Sequence, residues 1–265
     1  MSQLLVKPRN RKSCVTKITP KKAGWKYAGF ELHRLQPGET VSGSKRKRET
    51  CLVWVTGKGA ASVDKKDFGS LGKRMSPFDG PPAAVYLPAG SKWKVTAETA
   101  LELAVCTAPG KINGLSARVI AKDKLSRETR GKGTNTRYVT NILPEGEPAH
   151  SLLVVEVITP GGHTSSYPPH KHDKDDLPRE SMLEEVYYHR LNPPQGFAFQ
   201  RVYTDDRSLD EAMAVEDGDV VLVPKGYHPC AACHGYDLYY LNVMAGPRRT
   251  WKFHNAHEHE WLLKT

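Results

Sequence analysis

Long hydrophobic runs are missing from this chain of 265 residues. No apolar stretch approaches the roughly 18 residues that a membrane-spanning helix needs, and the first residues lack the apolar core of about 7–15 residues that marks a secretory signal. Cysteine is scarce too. Cys14, Cys51, Cys106, Cys230 and Cys233 are too few to staple so long a chain, and the odd count suits a reducing compartment. The expectation is a cytoplasmic protein with no membrane partner. Helical periodicity is nearly absent: no long segment repeats its apolar residues every 3–4 positions.

Acid is absent from residues 1–27, which carry Lys7, Arg9, Arg11, Lys12, Lys17, Lys21, Lys22 and Lys26. A second basic run, Lys45-Arg46-Lys47-Arg48, adds to a net charge of +10. Both runs read as solvated arm and loop. Zinc-finger spacing and RNA-binding aromatic motifs are also lacking, so no nucleic-acid partner is expected. An acidic small molecule remains the partner that the charge favours. A homo-oligomer is left open.

What is present is β-structure. Leu52–Val55, Ala84–Leu87, Lys94–Thr96 and Leu101–Val105 read as strands, as do Leu152–Ile158, Glu185–Leu191, Phe197–Tyr203, Val220–Val223 and Leu238–Val243. Turn signals separate them, among them Pro37-Gly38, Pro88-Ala89-Gly90, Pro160-Gly161-Gly162 and Pro224-Lys225-Gly226. Short strands with this punctuation argue an all-β sandwich or barrel. Pro37-Gly38-Glu39-Thr40 and Leu87-Pro88-Ala89-Gly90 bracket the first half much as Pro160-Gly161-Gly162-His163 and Val223-Pro224-Lys225-Gly226 bracket the second, a faint internal repeat. The expected layout is a basic arm over residues 1–24, a β unit over 25–110, a linker over 111–150 and a second β unit over 151–265.

His170-x-His172 is the most informative feature. In a strand, residues i and i+2 share a face, so the two imidazoles stand side by side, and Pro168-Pro169 keeps the approach extended. Glu185 opens a strand downstream, and His228 follows the Pro224-Lys225-Gly226 turn. Three imidazoles and one carboxylate suit a borderline divalent metal, Zn, Mn, Fe, Co or Ni. Glu184 is the rival carboxylate. The first half has Lys92 where the second has His228, and no His-x-His occurs between Pro37 and Leu52, so one metal per chain is expected, in the second unit.

The series His170-x-His172, Glu185 and Gly218-x5-Pro224-x-Gly226-x-His228 resembles the two-part cupin metal motif, with a longer gap before Glu185 and a shorter one before His228. Pro168-Pro169-His170-Lys171-His172-Asp173, Leu183-Glu184-Glu185-Val186-Tyr187-Tyr188 and the stretch Gly235–Pro247 together resemble the 5-deoxy-glucuronate isomerase family of inositol catabolism. That resemblance implies a bicupin, two tandem β-barrel (jelly-roll) domains, with His170, His172, Glu185 and His228 as the metal ligands. It implies an aldose–ketose isomerisation of 5-deoxy-D-glucuronate to 5-dehydro-2-deoxy-D-gluconate through an enediol(ate). The alternatives are the related uronate ketol-isomerase acting on 4-deoxy-L-threo-5-hexosulose uronate, metal-dependent oxygenation, and a sugar-binding cupin without activity.

Such a reaction needs a proton carrier, for which Tyr187, His189, Tyr240 and Lys171 are the candidates, with Glu184 beside them. A substrate carboxylate needs a cation, for which Arg179, Arg190, Arg201 and Arg249 are the choices in the second half. Two further patterns read otherwise. Cys230-Ala231-Ala232-Cys233-His234 matches the c-type haem attachment spacing, but that chemistry belongs to exported proteins, and loop or core thiols are the expectation. His254, His257 and His259 read as a solvated tail.

Overall fold

Alternating apolar residues between Gly/Pro turns produce strands almost throughout the computed structural model, which describes residues 2–9, 13–112, 114–121 and 125–264. Helix among the described residues is limited to the turn Pro20–Ala23 and the 3-10 segments Gly133–Asn135 and His257–Lys264. No described helix is long and apolar enough to cross a membrane.

The chain divides into two compact units, neither continuous in sequence. The N-terminal unit comprises Pro8–Ser126 and Asn141–Val154. Its six-stranded sheet runs Arg118–Ile120, Ala83–Leu87, Arg48–Thr56, Leu101–Pro109, Gly29–Leu35, Cys14–Ile18. A four-stranded sheet runs Thr40–Ser44, Lys92–Ala97, Gly59–Val63, Lys66–Leu71. Alternate residues of both sheets meet in one apolar core: Leu52, Trp54, Val85, Leu87 and Leu103 from the first, Val63, Trp93 and Val95 from the second. Each large side chain so buried stabilises by about 1.5–3 kcal/mol.

One charge is sealed in this unit. Glu49 is fully buried and every polar contact it makes is a donor. Its Oε1 accepts from the backbone N–H groups of Ser151 and Leu152, each at 2.6 Å, and its Oε2 from the Tyr86 hydroxyl at 2.7 Å and the His150 N–H at 2.8 Å. A carboxylate can be buried when donors replace its water.

The C-terminal unit comprises Met1–Lys7, Arg127–Thr140 and Val155–Thr265. Its seven-stranded sheet runs Leu5–Val6, Val220–Val223, Glu184–Asn192, Asp237–Ala245, Leu152–Thr159, Arg137–Leu143, Ser126–Arg130. A four-stranded sheet runs Thr164–Ser165, Cys230–Ala232, Phe197–Tyr203, Asp210–Glu216, and a ribbon pairs His170–Lys171 with His254–Asn255. Polar pairs bridge the two sheets: His189 Nε2 donates to Gln200 Oε1 at 2.9 Å, and Ser165 Oγ hydrogen-bonds with the Tyr240 hydroxyl at 2.5 Å.

Two segments differ from expectation. The basic arm is partly ordered: Leu5 and Val6 pair with Val221 and Val220, and Cys14–Ile18 pairs with Gly29–Leu35. Its apolar residues Leu4, Val15 and Ile18 are buried, and that burial outweighs the solvation of the lysines between them. The stretch 111–150 is not a free connection either, because Arg118–Ile120, Ser126–Arg130 and Arg137–Leu143 are sheet strands.

Replacing Glu49 by Ala leaves three N–H groups, one of them fully buried, and a buried phenol without their acceptor, so Glu49→Ala should destabilise the protein by about 3 kcal/mol or more in denaturant unfolding. A loss under about 1 kcal/mol would contradict this account of the buried charge.

Candidate metal centre

His172, Glu185 and His228 each offer a ligand atom, and these atoms lie within 4.8 Å of one another. All three side chains are buried. His172 follows the short strand His170–Lys171, Glu185 lies in the strand Glu184–Asn192, and His228 follows the turn after Val220–Val223. Gly226 makes that turn: its φ is +91°, and a Cβ there would lie 2.4 Å from the Tyr203 carbonyl oxygen. The Gly226 N–H donates to Asp173 Oδ2 at 2.9 Å, tying the two histidine segments together.

The backbone sets the ring orientations. His172 Nδ1 donates to the Leu183 carbonyl at 3.1 Å and His228 Nδ1 to the Gly226 carbonyl at 2.8 Å. A carbonyl only accepts, so both Nδ1 atoms carry hydrogen and both Nε2 atoms face inward. Glu185 Oε2 lies 2.9 Å from His172 Nε2 and 3.2 Å from His228 Nε2, and the Asn242 amide donates to its Oε1. His228 Nε2 is buried without a hydrogen bond. Burial raises the Glu185 carboxyl, but the two imidazoles outweigh it and hold the pKa at about 2. Burial lowers His172, yet Glu185 outweighs it and the imidazole ends above its usual value.

Two inward nitrogens and a carboxylate oxygen repel one another in a dry interior unless a positive charge sits among them. A proton on His172 supplies one such charge. A divalent cation supplies a better one, because imidazole and carboxylate donors match it in softness and number, so the residues fit a metal. His170 stands beside the group, its ring centroid 5.0 Å from that of His228 and 6.3 Å from that of His172, packed 4.6 Å from Phe253. Its nitrogens lie outside the 4.8 Å cluster.

Two cavities adjoin the cluster. A small one of about 30 Å³ is walled by Glu185, Tyr187, Tyr240, Asn242, Arg137 and His170, with Val139, Val155, Val157 and Trp251 completing its apolar lining. An open cleft of about 460 Å³ shares Arg130, Arg137 and His170 with it and adds Lys132, Asn135 and Phe253.

The model of the KduI/IolB family matches residues 4–262. The chain belongs to this family. It is 52% identical to a protein of Geobacillus kaustophilus named 5-deoxy-glucuronate isomerase, over 100% of this chain and 97% of that one. It is 47% identical to one of the same name from Listeria innocua, over 100% and 99%. The solved structure of an IolB-like protein from Salmonella typhimurium superposes with a TM-score of 0.97 at 52% identity, covering 99% of this chain and 100% of that one. An oxalate decarboxylase from Lactobacillus farciminis superposes with a TM-score of 0.69 at 13% identity over 100% and 91%, a likeness of fold alone.

Within this KduI/IolB site, the other sequence expectations divide. Tyr187 and Tyr240 line the small cavity, with Tyr187 bonded to Ser166 Oγ at 2.9 Å. His189 lies behind them, its ring 5.8 Å from Tyr187, and burial, partly offset by Gln200, lowers its pKa to about 4. Lys171 points away: strand alternation carries it to the opposite face, where it pairs with Asp205 and sits 5.4 Å over the Tyr227 ring. Glu184 points away from the cluster for the same reason.

None of the four expected arginines lines either cavity. Arg179 pairs with Asp176, Arg190 with Asp217 and Arg201 with Asp210, each on the outer surface or its margin. Arg249 is half-buried beyond the strand Asp237–Ala245. The arginines that do line the cavities are Arg130 and Arg137, from the stretch the sequence assigns to a linker. Asn242 was also missed, although alternation from Tyr240 puts both on one face.

Cys230 is buried in the strand Cys230–Ala232, its thiol pushed up to about 12 by burial. Cys233 is half-buried in the turn that follows. His254 and His257 are exposed. Sequence reading also overlooked Cys14, Glu31 and His33, whose donor atoms lie within 4.8 Å of one another in the N-terminal unit. There Lys17 and Lys45 already neutralise Glu31 at 3.1 and 3.2 Å.

In metal-free protein, Glu185→Gln should lower the His172 pKa, because the carboxylate that holds it above its usual value is gone. NMR titration of the ring checks this; an unchanged midpoint would contradict the geometry.

Proposed function

We propose that this member of the KduI/IolB family is a metal-dependent aldose–ketose isomerase that converts 5-deoxy-D-glucuronate into 5-dehydro-2-deoxy-D-gluconate. The observation that carries the reading is the donor set of His172, Glu185 and His228 beside a cavity that also holds two phenols. Relatives alike over the whole chain and named 5-deoxy-glucuronate isomerase favour this substrate over the hexosulose uronate. The reading includes two tandem cupin barrels, with the metal in the C-terminal one. His172, Glu185 and His228 would hold the ion, with His170 as the fourth donor.

The reaction moves a proton between adjacent carbons and builds negative charge on the carbonyl oxygen. When bound, the ion supplies positive charge that stabilises this developing anion. The rest falls to the chain. Nδ1 hydrogen bonds to the Leu183 and Gly226 carbonyls orient the imidazoles, and Asn242 orients the carboxylate. Burial raises the Tyr187 and Tyr240 phenols above their usual value, so both keep their protons at neutral pH. Each is therefore a hydrogen-bond donor for a sugar oxygen, steadied by Ser166 and Ser165. Neutral His189 packs behind them and holds the Tyr187 ring in place.

One of the fold relatives, the oxalate decarboxylase of Bacillus subtilis, is described with Mn(II) centres, and the donor set here suits an ion of that kind. Purified protein loaded with Mn(II) should convert 5-deoxy-glucuronate to the keto acid, followed by NMR, and lose that activity on chelation. The double variant His172→Ala/His228→Ala should lose its bound metal in elemental analysis. Activity indifferent to exhaustive chelation, or unchanged metal stoichiometry in the variant, would overturn the reading.

A further inference from the structure

We propose that Arg137 is the anchor for the carboxylate of the sugar acid, holding the acid end of the molecule while its carbonyl end reaches Glu185. This inference rests on the isomerase reading and assigns the part of the site that confers selectivity for acids.

Arg137 is a half-buried guanidinium that has no carboxylate partner among the described residues. The arginine beside it in both cavities, Arg130, is matched by Glu128 at 2.8 Å, and elsewhere in the unit Arg190 and Arg201 each have an aspartate. The Arg137 contacts are to uncharged groups, Nη1 donating to the backbone oxygen and Oδ1 of Asn135, each at 3.0 Å. Nearby Arg130 adds like charge, and its own guanidinium lies 5.1 Å over the Trp251 ring. Withdrawing such a cation from water without a counter-ion is costly, and a site that keeps one in a cavity supplies it for a ligand.

The residue is also built in. Asn135 is pinned from two sides, its Nδ2 donating to the Tyr167 carbonyl at 3.0 Å and its Oδ1 accepting from Thr164 Oγ1 at 3.2 Å. Gly131, at φ +77°, lets the loop close onto it: a Cβ there would lie 2.1 Å from the Asn135 carbonyl oxygen and 2.8 Å from Arg137 Nη1. The anchoring spends only one edge of the guanidinium. Its remaining N–H groups form the fork that a carboxylate takes in two parallel hydrogen bonds.

Position gives the ligand class. Arg137 lines both the open cleft and the small cavity that reaches Glu185, Tyr187 and Tyr240. A molecule entering through the cleft therefore meets the cation before the donor cluster. A chain with a carboxylate at one end and a carbonyl at the other satisfies both, which is a uronic acid and not a neutral aldose.

The test compares 5-deoxy-glucuronate with 5-deoxy-glucose, in which a hydroxymethyl group replaces the carboxylate. Wild-type protein should favour the acid by about 100-fold or more in kcat/KM, and Arg137→Gln should bring that ratio to within about threefold of one. Arg137→Lys, which keeps the charge without the fork and guards against misfolding of the Gln variant, should give a ratio between the two. As a readout independent of turnover, D-glucuronate should raise the Tm of wild-type protein more than D-glucose does, and this difference should vanish in Arg137→Gln. A ratio preserved in Arg137→Gln, with both substrates slowed alike, would overturn the anchor. If wild-type protein does not isomerise the acid, the isomerase reading fails and the Tm comparison decides: equal stabilisation of wild type and variant by glucuronate would then overturn the anchor as well.

Discussion

The buried carboxylate of Glu185 organises the donor cluster of the C-terminal unit. Burial opposes its charge, and two inward-facing imidazoles overcome that opposition, while the Asn242 amide donates to its other oxygen. Those imidazoles cannot turn away, because their outer nitrogens are spent on the backbone carbonyls of Leu183 and Gly226. The outcome is an electron-rich pocket that requires a positive charge. Everything else in the proposed chemistry, from the placement of the phenols to the separate cation for the acid end, follows from where that pocket lies.

The two units put similar sheets to different uses. In the N-terminal unit, the inward residues of facing strands are Leu52, Trp54, Leu103 and Val95, and the interior is an apolar core. In the C-terminal unit, the inward series Glu185, Tyr187, His189 meets Tyr240, Asn242 and Gln200, Asn242 bonding Glu185 within one sheet while His189–Gln200 and Ser165–Tyr240 bridge the two sheets. A polar interior loses the hydrophobic stabilisation that an apolar one gains, and it tolerates little rearrangement, since each unpaired group is costly. That is the condition a rigid site requires. The donor cluster and the two phenols lie on this polar inner face.

Much of this was legible in the residues, and for identifiable reasons. Period-two alternation and Gly/Pro turns mark strands wherever one face is apolar, so the strands around Leu52, Glu185 and Leu238 were readable. Where a strand has no apolar face, as in Ser126-Arg127-Glu128-Thr129-Arg130, local pattern reads as linker, and Arg130 goes with it; Arg137 opens the next strand, Arg137–Leu143, inside the same stretch. Only long-range pairing brings that segment into the sheet. Two of the expected arginines failed on alternation: Glu185, Tyr187 and His189 face inward, which turns Arg190 outward, and Ala198, Gln200 and Val202 do the same to Arg201. Lys171 fails in the same way between His170 and His172. The arm misled because charge dominates its composition, while three buried apolar residues decide its structure.

The most direct test is anomalous diffraction from a crystal of protein loaded with Mn(II). The account predicts one strong peak in the C-terminal unit, about 2.0–2.3 Å from His172 Nε2, His228 Nε2 and a Glu185 oxygen. A peak at Cys14, Glu31 and His33 instead, or no ordered ion between those two imidazoles, would contradict it.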